Sequence, residues 1–330
     1  MKTRLLGWGA GMVLALSCLL GPAPTSSQQQ SKVARIGILV LSTQEEGGAS
    51  RAIAKKLQEI GNAQGRTAIF ELRYANWQHE RLAAQAAELV RLKVDVIVAI
   101  TNIPGFAARK ATDRIPIVVW GIHGGVETGL VRSLARPGGN VTGIESLAPE
   151  LDAKRLELIK LIVPNLTRLG VIYNPDDPGG RVHLLSMRDS ARTLGVGIET
   201  IEVRRPEDFD NVLTSTAAAS MDGLLTFSDD VTSSFWPKVG DFALKNRVPT
   251  LCEFRFMVQI GCLVSYGPSL DEFTARVVHQ VDQVLKGAKP ADIPVEQATR
   301  FEMLVNKNTA KALGITIPRA VLLKADEVFE

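Results

Sequence analysis

The chain is poor in the residues that build metal centres and disulfide frameworks. Its 330 residues include only three cysteines and four histidines. Cys252 and Cys262 are too few for a zinc site, and we favour two buried free thiols over a disulfide, because a bridge needs Cα atoms within about 7 Å. His79, His183 and His279 fall in helical stretches, where we expect surface positions. No two histidines have a spacing that suits one helix face, so we expect no metal.

The chain also lacks the motifs of the common α/β enzymes. It has no G-x-x-x-x-G-K-[ST] phosphate loop, no G-x-G-x-x-G, no G-x-S-x-G elbow and no S-x-x-K. Its 38 basic and 35 acidic side chains leave a net charge of +3, and like charges never run to five in a row. Such a mixed surface does not have the basic footprint of a nucleic-acid-binding protein. We expect no enzyme, no cofactor and no nucleic-acid partner.

Only one long apolar run is present, and it lies at the N-terminus. Leu5–Leu20 follows two basic residues and precedes a Gly-Pro-Ala-Pro segment and a polar Ser/Gln stretch. The run is shorter than the ~20 residues of a membrane span, which predicts an export signal over residues 1–27 and a periplasmic protein. Cleavage is expected near residues 26–30. Cys18 leaves open an alternative, lipid attachment at that cysteine.

After this segment, short apolar extended runs alternate with helical patterns. The alternation is typical of parallel sheets with crossover helices, and the length favours two lobes. The predicted strands of the first lobe are Val33–Leu41, Thr67–Tyr74, Val94–Ile100 and Ile117–Gly121. Those of the second lobe are Leu169–Tyr173, Gly197–Val203, Gly223–Phe227, Pro249–Cys252 and Leu263–Tyr266. One helix is predicted over Val231–Lys245 and another over Glu272–Leu285.

The tract over residues 133–161, SLARPGGNVTGIESLAPELDAKRLELIKL, joins the two lobes. Pro137 and the two glycines after it break the preceding segment, and Pro149 suits the first turn of a new helix. We place the first lobe at residues 33–145 plus about 269–290, and the second at 146–268 plus about 291–330. The chain thus passes between the lobes more than once, as in a hinge.

This tract and the later FEMLVNKNTAKALGITIP resemble the solute-binding proteins of bacterial ABC importers, in the subgroup that includes tryptophan and tyrosine binders. The resemblance runs from about Arg35 to the C-terminus. It implies an α/β fold of two doubly wound parallel-sheet lobes joined by a multi-crossover hinge, the type I periplasmic-binding-protein-like architecture. It further implies a monomer that captures a small molecule, an amino acid or related carboxylate, and delivers it to an ABC permease with its ATPase.

Ligands of such sheets bind outside the carboxyl ends of the strands, so the candidate ligand-binding residues follow strands. They are Ser42, Thr43, Thr101, Asn102, Gly121, His123, Glu145, Asn174, Phe227, Asp229 and Tyr266.

Several of these candidates have two interpretations. The Thr101–Gly105 turn opens a helix and could be capped in the ordinary way, whereas the resemblance implies that it holds the ligand's carboxylate. Asp229 could bind an ammonium group or cap the next helix. Asn174 could bond a ligand or start a turn, and Tyr266 could stack on a ligand or pack in the hinge. His123, between glycines, is expected to line the cleft.

Two other functions remain open from the sequence alone. The same fold and export signal would suit a ligand-sensing module for a membrane receptor. The second alternative is an exported α/β enzyme whose active site uses Asp229, Glu253 or His123 and matches none of the motifs named above.

Overall fold

The computed structural model describes residues 33–147, 149–214 and 220–330. The predicted export signal and Cys18 lie outside the described residues. None of the helices in the described part of the chain is long and apolar enough to cross a membrane.

The elements alternate along the chain as predicted. The strands are β1 Ala34–Val40, β2 Ala68–Tyr74, β3 Val96–Ile100, β4 Ile117–His123, β5 Val141–Leu147, β6 Arg168–Tyr173, β7 Gly197–Glu202, β8 Gly223–Thr226, β9 Thr250–Cys252, β10 Val264–Pro268, β11 Glu296–Gln297, β12 Phe301–Asn306 and β13 Glu327–Phe329. The helices are α1 Gly48–Glu59, α2 His79–Arg91, α3 Asn102–Ala111, α4 Pro149–Ile162, α5 Pro178–Leu194, α6 Asp208–Thr214, α7 Asp230–Ser234, α8 Trp236–Lys245, α9 Arg255–Gln259, α10 Leu270–Leu285, α11 Lys307–Leu313 and α12 Arg319–Leu322.

The strands form two sheets. The first has the order β11-β5-β4-β3-β1-β2 and all its pairs are parallel. The second has the order β13-β12-β10-β9-β8-β6-β7, with one antiparallel pair between β10 and β12. The expectation of an α/β fold with two parallel-sheet lobes is confirmed.

Helices cover both faces of the first sheet, which explains why its central strands are apolar along their whole length. β3, with the sequence VIVAI, is buried at every position. Ile53 of α1 and Val277 of α10 pack on one face, and Leu82 of α2 and Ala108 of α3 pack on the other. A strand buried on both sides reads as a continuous hydrophobic run rather than an alternating one.

The chain crosses between the lobes three times within the described residues, from β5 to α4, from β10 to α10 and from β11 to β12. The predicted lobe boundary at about residue 290 lies before β11. β11 pairs with β5 in the first sheet, so the chain stays with the first lobe through Gln297. The two-residue strand has too little pattern to be recognised from the sequence.

Two other local predictions are wrong. The helix predicted over Val231–Lys245 is two helices that meet at Phe235. Pro237 has no N–H to donate and its ring crowds the preceding turn, which interrupts a helix. Cys252 and Cys262 form a disulfide rather than two free thiols, because β9 and the segment before β10 lie side by side with the two Cα atoms 6.5 Å apart.

Candidate functional site

A cavity of about 530 Å³ lies between the carboxyl ends of the two sheets. The first lobe contributes the segments after β1 and β3 and the carboxyl end of β4 itself, and the second contributes the segments after β8 and β9. The start of α10, where the chain returns to the first lobe, completes the wall. This is where ligands bind in open α/β sheets, and the volume falls in the range of small-molecule sites.

Aromatic side chains form walls on both sides of the cavity. In the first lobe, Trp120 packs edge-on against Phe273, with ring centroids 5.3 Å apart. In the second, Phe254 and Phe256 have nearly parallel rings with centroids 6.1 Å apart. The two walls suit a flat or bulky apolar group.

The polar lining is acidic. Asp229 and Asp230 are buried at the second lobe's side, while half-buried Glu46 and exposed Asp271 lie on the first lobe's side. Among the described residues, no lysine or arginine lines the cavity, and His123 is its one basic side chain. The described lining therefore favours a ligand that carries positive charge over one that carries negative charge.

Asp229 is the N-cap of α7. Its Oδ1 accepts hydrogen bonds from the N–H groups of Val231 and Thr232, at 2.7 and 3.0 Å, and its Oδ2 accepts one from the N–H of Asn174 at 3.2 Å. Asp229 thus caps the helix, as one of its two interpretations predicts. It also lines the cavity. Asp230, one residue later, accepts a hydrogen bond from the Thr101 hydroxyl of the other lobe.

The backbone at Thr101 is strained. Its φ of 68° and ψ of −177° belong to a region that is almost confined to glycine, at a cost of about 1–3 kcal/mol. Such strain clusters at functional sites. The conformation begins α3 and coincides with the hydrogen bond from the Thr101 side chain to Asp230, so a carboxylate of the protein itself already lies at this helix N-terminus.

Beside the cavity, the end of β4 meets the start of α5. Gly121 has a φ of 84° at a register irregularity between β4 and β5, and this bulge sets the direction of the strand end. The side-chain amide of Asn102 donates to the His123 carbonyl at 2.8 Å, and the amide oxygen of Asn102 accepts from the His123 N–H at 3.1 Å. Both then contact Asp177 of the second lobe: the Asn102 amide donates to it at 3.2 Å, and His123 Nδ1 lies 3.6 Å from it.

Burial and mutual proximity shift the pKa values of these acids. Burial and the charge of Asp177 raise the pKa of Asp229 to about 7, against the hydrogen bonds from Thr232 and Val231. Burial likewise raises the pKa of Asp230 to about 8, against the hydrogen bond from Thr101. Asp177 behaves oppositely: burial would raise its pKa, but the hydrogen bond and charge of His123 outweigh burial and lower it.

The same contact favours the protonated form of His123 and raises its pKa. Burial alone would lower its pKa, but the hydrogen bond and charge of Asp177, with further help from Glu253 and Asp229, raise it. His123 and Asp177 therefore form an ion pair across the two lobes, which leaves the carboxylates of Asp229 and Asp230 without a balancing cation.

A buried charge network lies behind this acidic pair. Arg155, fully buried on α4, has its Nη1 3.2 Å from Asp152 and 3.3 Å from Glu253, and its Nε donates to the carbonyl of Tyr266 at 2.8 Å. His183 Nδ1 lies 2.7 Å from Asp152. The prediction that His183 is a surface residue is wrong, because α5 turns this side chain toward α4. His79 and His279 are exposed, as expected.

Five of the predicted ligand-binding residues line the cavity, namely Ser42, Thr101, Gly121, His123 and Asp229. The other six do not, although all lie at or near strand ends. Thr43 bonds Glu46, Asn102 bonds His123 and Asp177, Glu145 accepts from the Gly125 N–H, Asn174 donates to Asp229, Phe227 is in the second lobe's core, and Tyr266 packs beside Phe301. Ligand contact stays a prediction for all eleven residues, and the cavity brings five of them together.

Several lining residues were not predicted from the sequence. They include Glu46, Trp120, Ser228, Asp230, Phe254 and Phe256. Ser228 and Asp230 flank Asp229 in a turn that the sequence did indicate, and Phe254 follows β9 at a strand end. Trp120 lies inside β4 rather than after it, so the strand-end rule passes over it. The described residues contain no group of three or more His, Cys, Asp or Glu side chains that could hold a metal ion.

Comparison with known proteins agrees with this architecture. A family model described as ABC transporter substrate binding protein matches residues 39–329. A tyrosine-binding protein of Clostridioides difficile (strain R20291) is 28% identical over 284 residues, covering 84% of this chain and 81% of that protein.

Two solved structures share the fold at full length. The ABC domain from Streptococcus pneumonia in complex with L-Trp has a TM-score of 0.82 and 26% identity, and the match covers 90% of this chain and 99% of that chain. The ligand-free, open structure of a substrate binding protein with adhesive properties from Clostridium difficile has a TM-score of 0.63 and 25% identity, with coverage of 90% and 99%.

The resemblance noted in the sequence is thereby confirmed. The family model and these relatives are substrate-binding proteins, and their fold agrees with the two-lobe α/β architecture described above. The chain therefore belongs to the ABC transporter substrate binding protein family, and it binds a small-molecule substrate for an ABC transporter rather than transforming one.

Proposed function

We propose that this protein captures a small solute with an ammonium group and an apolar body, such as an amino acid or a related amine, and delivers it to an ABC permease with its ATPase. The observation that carries the proposal is the cavity itself, which has an aromatic wall from each lobe and a buried acidic pair at one side. The Tyr and L-Trp named for the two relatives make aromatic amino acids the first ligands to test.

The arrangement of the lobes supports capture by closure. Contacts cross the cleft at Thr101 with Asp230, at His123 with Asp177, and at Trp77 with Phe235, whose ring centroids are 5.6 Å apart. The two solved structures are almost equally distant in sequence, yet the chain superposes better on the L-Trp complex than on the ligand-free, open protein. The higher TM-score with the L-Trp complex supports our interpretation that the arrangement described here is a closed state.

The proposal includes export. Residues 1–27 would be removed as a signal, leaving a periplasmic monomer, with lipid attachment at Cys18 as the alternative. Mass measurement of the protein recovered from cells distinguishes the two, because a lipidated chain would begin at Cys18 and carry acyl groups, whereas ordinary cleavage leaves an unmodified chain beginning near residues 26–30.

The experiment that tests capture has two steps. Mass spectrometry identifies any solute that survives purification, and unfolding followed by refolding empties the cavity for screening. A true ligand at one hundred times its dissociation constant stabilises the protein by about 2.7 kcal/mol, which raises the melting temperature by several degrees. If amino acids, amines, sugars, nucleosides and carboxylates all leave the melting temperature unchanged, the proposed function is wrong.

A further inference from the structure

Asp229 and Asp230 are two adjacent buried carboxylates with no cationic partner. Their exposed fractions are 5% and 9%, and no Lys, Arg or His of the described residues lies within 4 Å of either carboxylate, although the charge of His123 acts on Asp230 from farther away. The nearby cations are already engaged, since Arg155 pairs with Asp152 and Glu253, and His123 pairs with Asp177. Buried charges in folded proteins are normally paired. The described residues supply no further cation to balance Asp229 and Asp230.

Resting on the proposed solute-binding function, we propose that the preferred ligand is an arylalkylammonium ion without a carboxylate, whose ammonium group binds between Asp229 and Asp230. Such a ligand brings one positive charge to an acidic cavity. An amino acid brings the same ammonium together with a carboxylate, and that carboxylate needs a partner of its own.

The described residues give a carboxylate no such partner. Lysine and arginine are missing from the described cavity lining. The N-terminus of α3, which could receive an anion, has the Asp230 carboxylate against Thr101. The N-terminus of α1 lines the cavity too, with Gly47 as its N-cap and no acidic residue in its first turn. Glu46, just before that N-cap, also lines the cavity, and its carboxylate accepts hydrogen bonds from Thr43 and Trp77. The negative charges of Glu46 and Asp230 disfavour a second carboxylate in the same cavity.

A second, independent observation points to an ammonium group at the same place. Ser228 is 5% exposed and lines the cavity beside Asp229, yet its hydroxyl oxygen has no hydrogen-bond partner in the described residues. An ammonium group has three N–H donors. The two carboxylates and this hydroxyl would accept all three, which satisfies a buried oxygen that the protein leaves unpaired.

The rest of the ligand is set by the aromatic walls. Trp120 and Phe273 on one side and Phe254 and Phe256 on the other leave room for an aromatic ring. Aromatic faces also attract an organic cation, which adds to the preference for a charged amine.

Matched pairs of compounds test this inference on the purified, refolded protein at about pH 8. The pairs are tyramine with tyrosine, tryptamine with tryptophan, and phenylethylamine with phenylalanine, measured by calorimetry. We expect at least one amine to bind at least about tenfold more tightly than its amino acid. Amino acids that bind as tightly as their amines would overturn the inference and leave solute binding intact. Failure of all six, with another solute bound, would also overturn it, whereas failure of every solute class rejects the proposed function itself.

Substitutions test whether the acidic pair binds the ligand's ammonium group. Asp230→Asn removes one charge with little change of shape and should weaken amine binding at least about tenfold. It should change the affinity for the neutral analogue 2-phenylethanol by less than about threefold, a result that a misfolded variant would not give. Asp241→Asn removes the same charge at an exposed position of α8 that does not line the cavity, and should leave amine affinity unchanged. Equal effects of the two substitutions would contradict the assignment.

Discussion

At the scale of single residues, the acidic pair at the cavity opposes folding of the unliganded protein. Burial and neighbouring charge raise the pKa of Asp229 to about 7 and of Asp230 to about 8. The folded chain therefore retains protons that the unfolded chain has already released above pH 3.8. A group of this kind makes the folded state less favourable as pH rises from its unfolded to its folded pKa.

The first prediction follows from this loss of stability as pH rises. The free energy of unfolding of the ligand-free protein should fall as pH rises from about 4 to about 8, by roughly 1.4 kcal/mol per pH unit for each extra proton held by the folded state. Asp230→Asn should make the decline shallower. Urea unfolding across this range measures both slopes. His123 loses its contribution in the same direction above its ordinary pKa, so the comparison between the two proteins, not the wild-type slope alone, decides the matter.

The second residue-scale prediction concerns Arg155, the buried cation behind the pair. Arg155→Met leaves Asp152 and Glu253 without their shared partner, and should lower the free energy of unfolding by about 3–5 kcal/mol. Arg192→Met removes a guanidinium from an exposed pair with Asp189 and should cost less than about 1 kcal/mol. Denaturant titration of both variants checks the contrast, and similar losses would mean that the buried network contributes no more than a surface pair.

At the scale of elements, closure depends on how closely the N-terminus of α5 approaches the end of β4. Gly179 touches this strand end, and a Cβ built there would lie 2.3 Å from the Cβ of His123. Only a residue without a side chain fits this contact. The same approach brings Asp177, the N-cap of α5, to His123 and Asn102.

The third prediction uses this contact. Gly179→Ala should hold the lobes apart and weaken ligand affinity at least about tenfold, because closure then requires displacing one lobe. Each lobe keeps its own core, so the melting temperature of the ligand-free protein should change little. Gly139→Ala is the matched control, since a Cβ there meets no heavy atom within 4 Å. Calorimetry measures both, and unchanged affinity in Gly179→Ala would show that the closed contact is dispensable.

Sequence patterns predicted the elements well where one local rule decides the structure. The buried parallel strands read as continuous apolar runs. The break at Phe235 was missed because apolar spacing continues across it, although Pro237 is the physical cause. The disulfide was missed because Cα separation depends on how two neighbouring segments lie, which spacing along the chain does not give.

The candidate site was predicted only in part, for a related reason. Strand ends are recognisable in a sequence, and this located Thr101, Gly121 and Asp229 at the cavity. Side-chain direction is not recognisable in this way: the Asn174 side chain accepts a hydrogen bond from the N–H of Asp176 in its own turn, and Phe227 packs in the second lobe's core. The acidic pair lacks a counterion only because Arg155 and His123 are engaged by other acids, a property of the three-dimensional cluster that no linear pattern shows.

At the scale of the whole molecule, the lobes are separate bodies joined by three crossings. The clusters of buried residues in the first lobe, around Val98 and Val119, are distinct from those in the second, around Val171 and Trp236. Short connections between such bodies absorb a rotation while each core stays packed. The contacts across the cleft are few, polar or aromatic, so opening breaks few favourable interactions.

The last prediction is that ligand binding drives this rotation and that Trp77 reports it. Trp77, from the first lobe, packs against Phe235 of the second, so opening exposes its indole to water. Trp120 lines the cavity and would sense ligand directly, and it is therefore replaced by phenylalanine. In Trp120→Phe, ligand should shift the fluorescence to shorter wavelength and reduce the radius of gyration in solution scattering.

The control for this prediction is the double variant Trp77→Phe/Trp120→Phe. It keeps Trp236, which is fully buried in the second lobe's core and whose surroundings do not change when the lobes rotate as bodies. Ligand should then leave the emission wavelength unchanged while the radius of gyration still falls. A shift that persists in the double variant would place the signal inside the second lobe, and a constant radius of gyration in both variants would mean that binding proceeds without closure.

Because the closed contacts join Thr101, His123 and Trp77 to the second lobe at three points around the cavity, rotation of the lobes and occupation of the acidic pair should occur at the same ligand concentration.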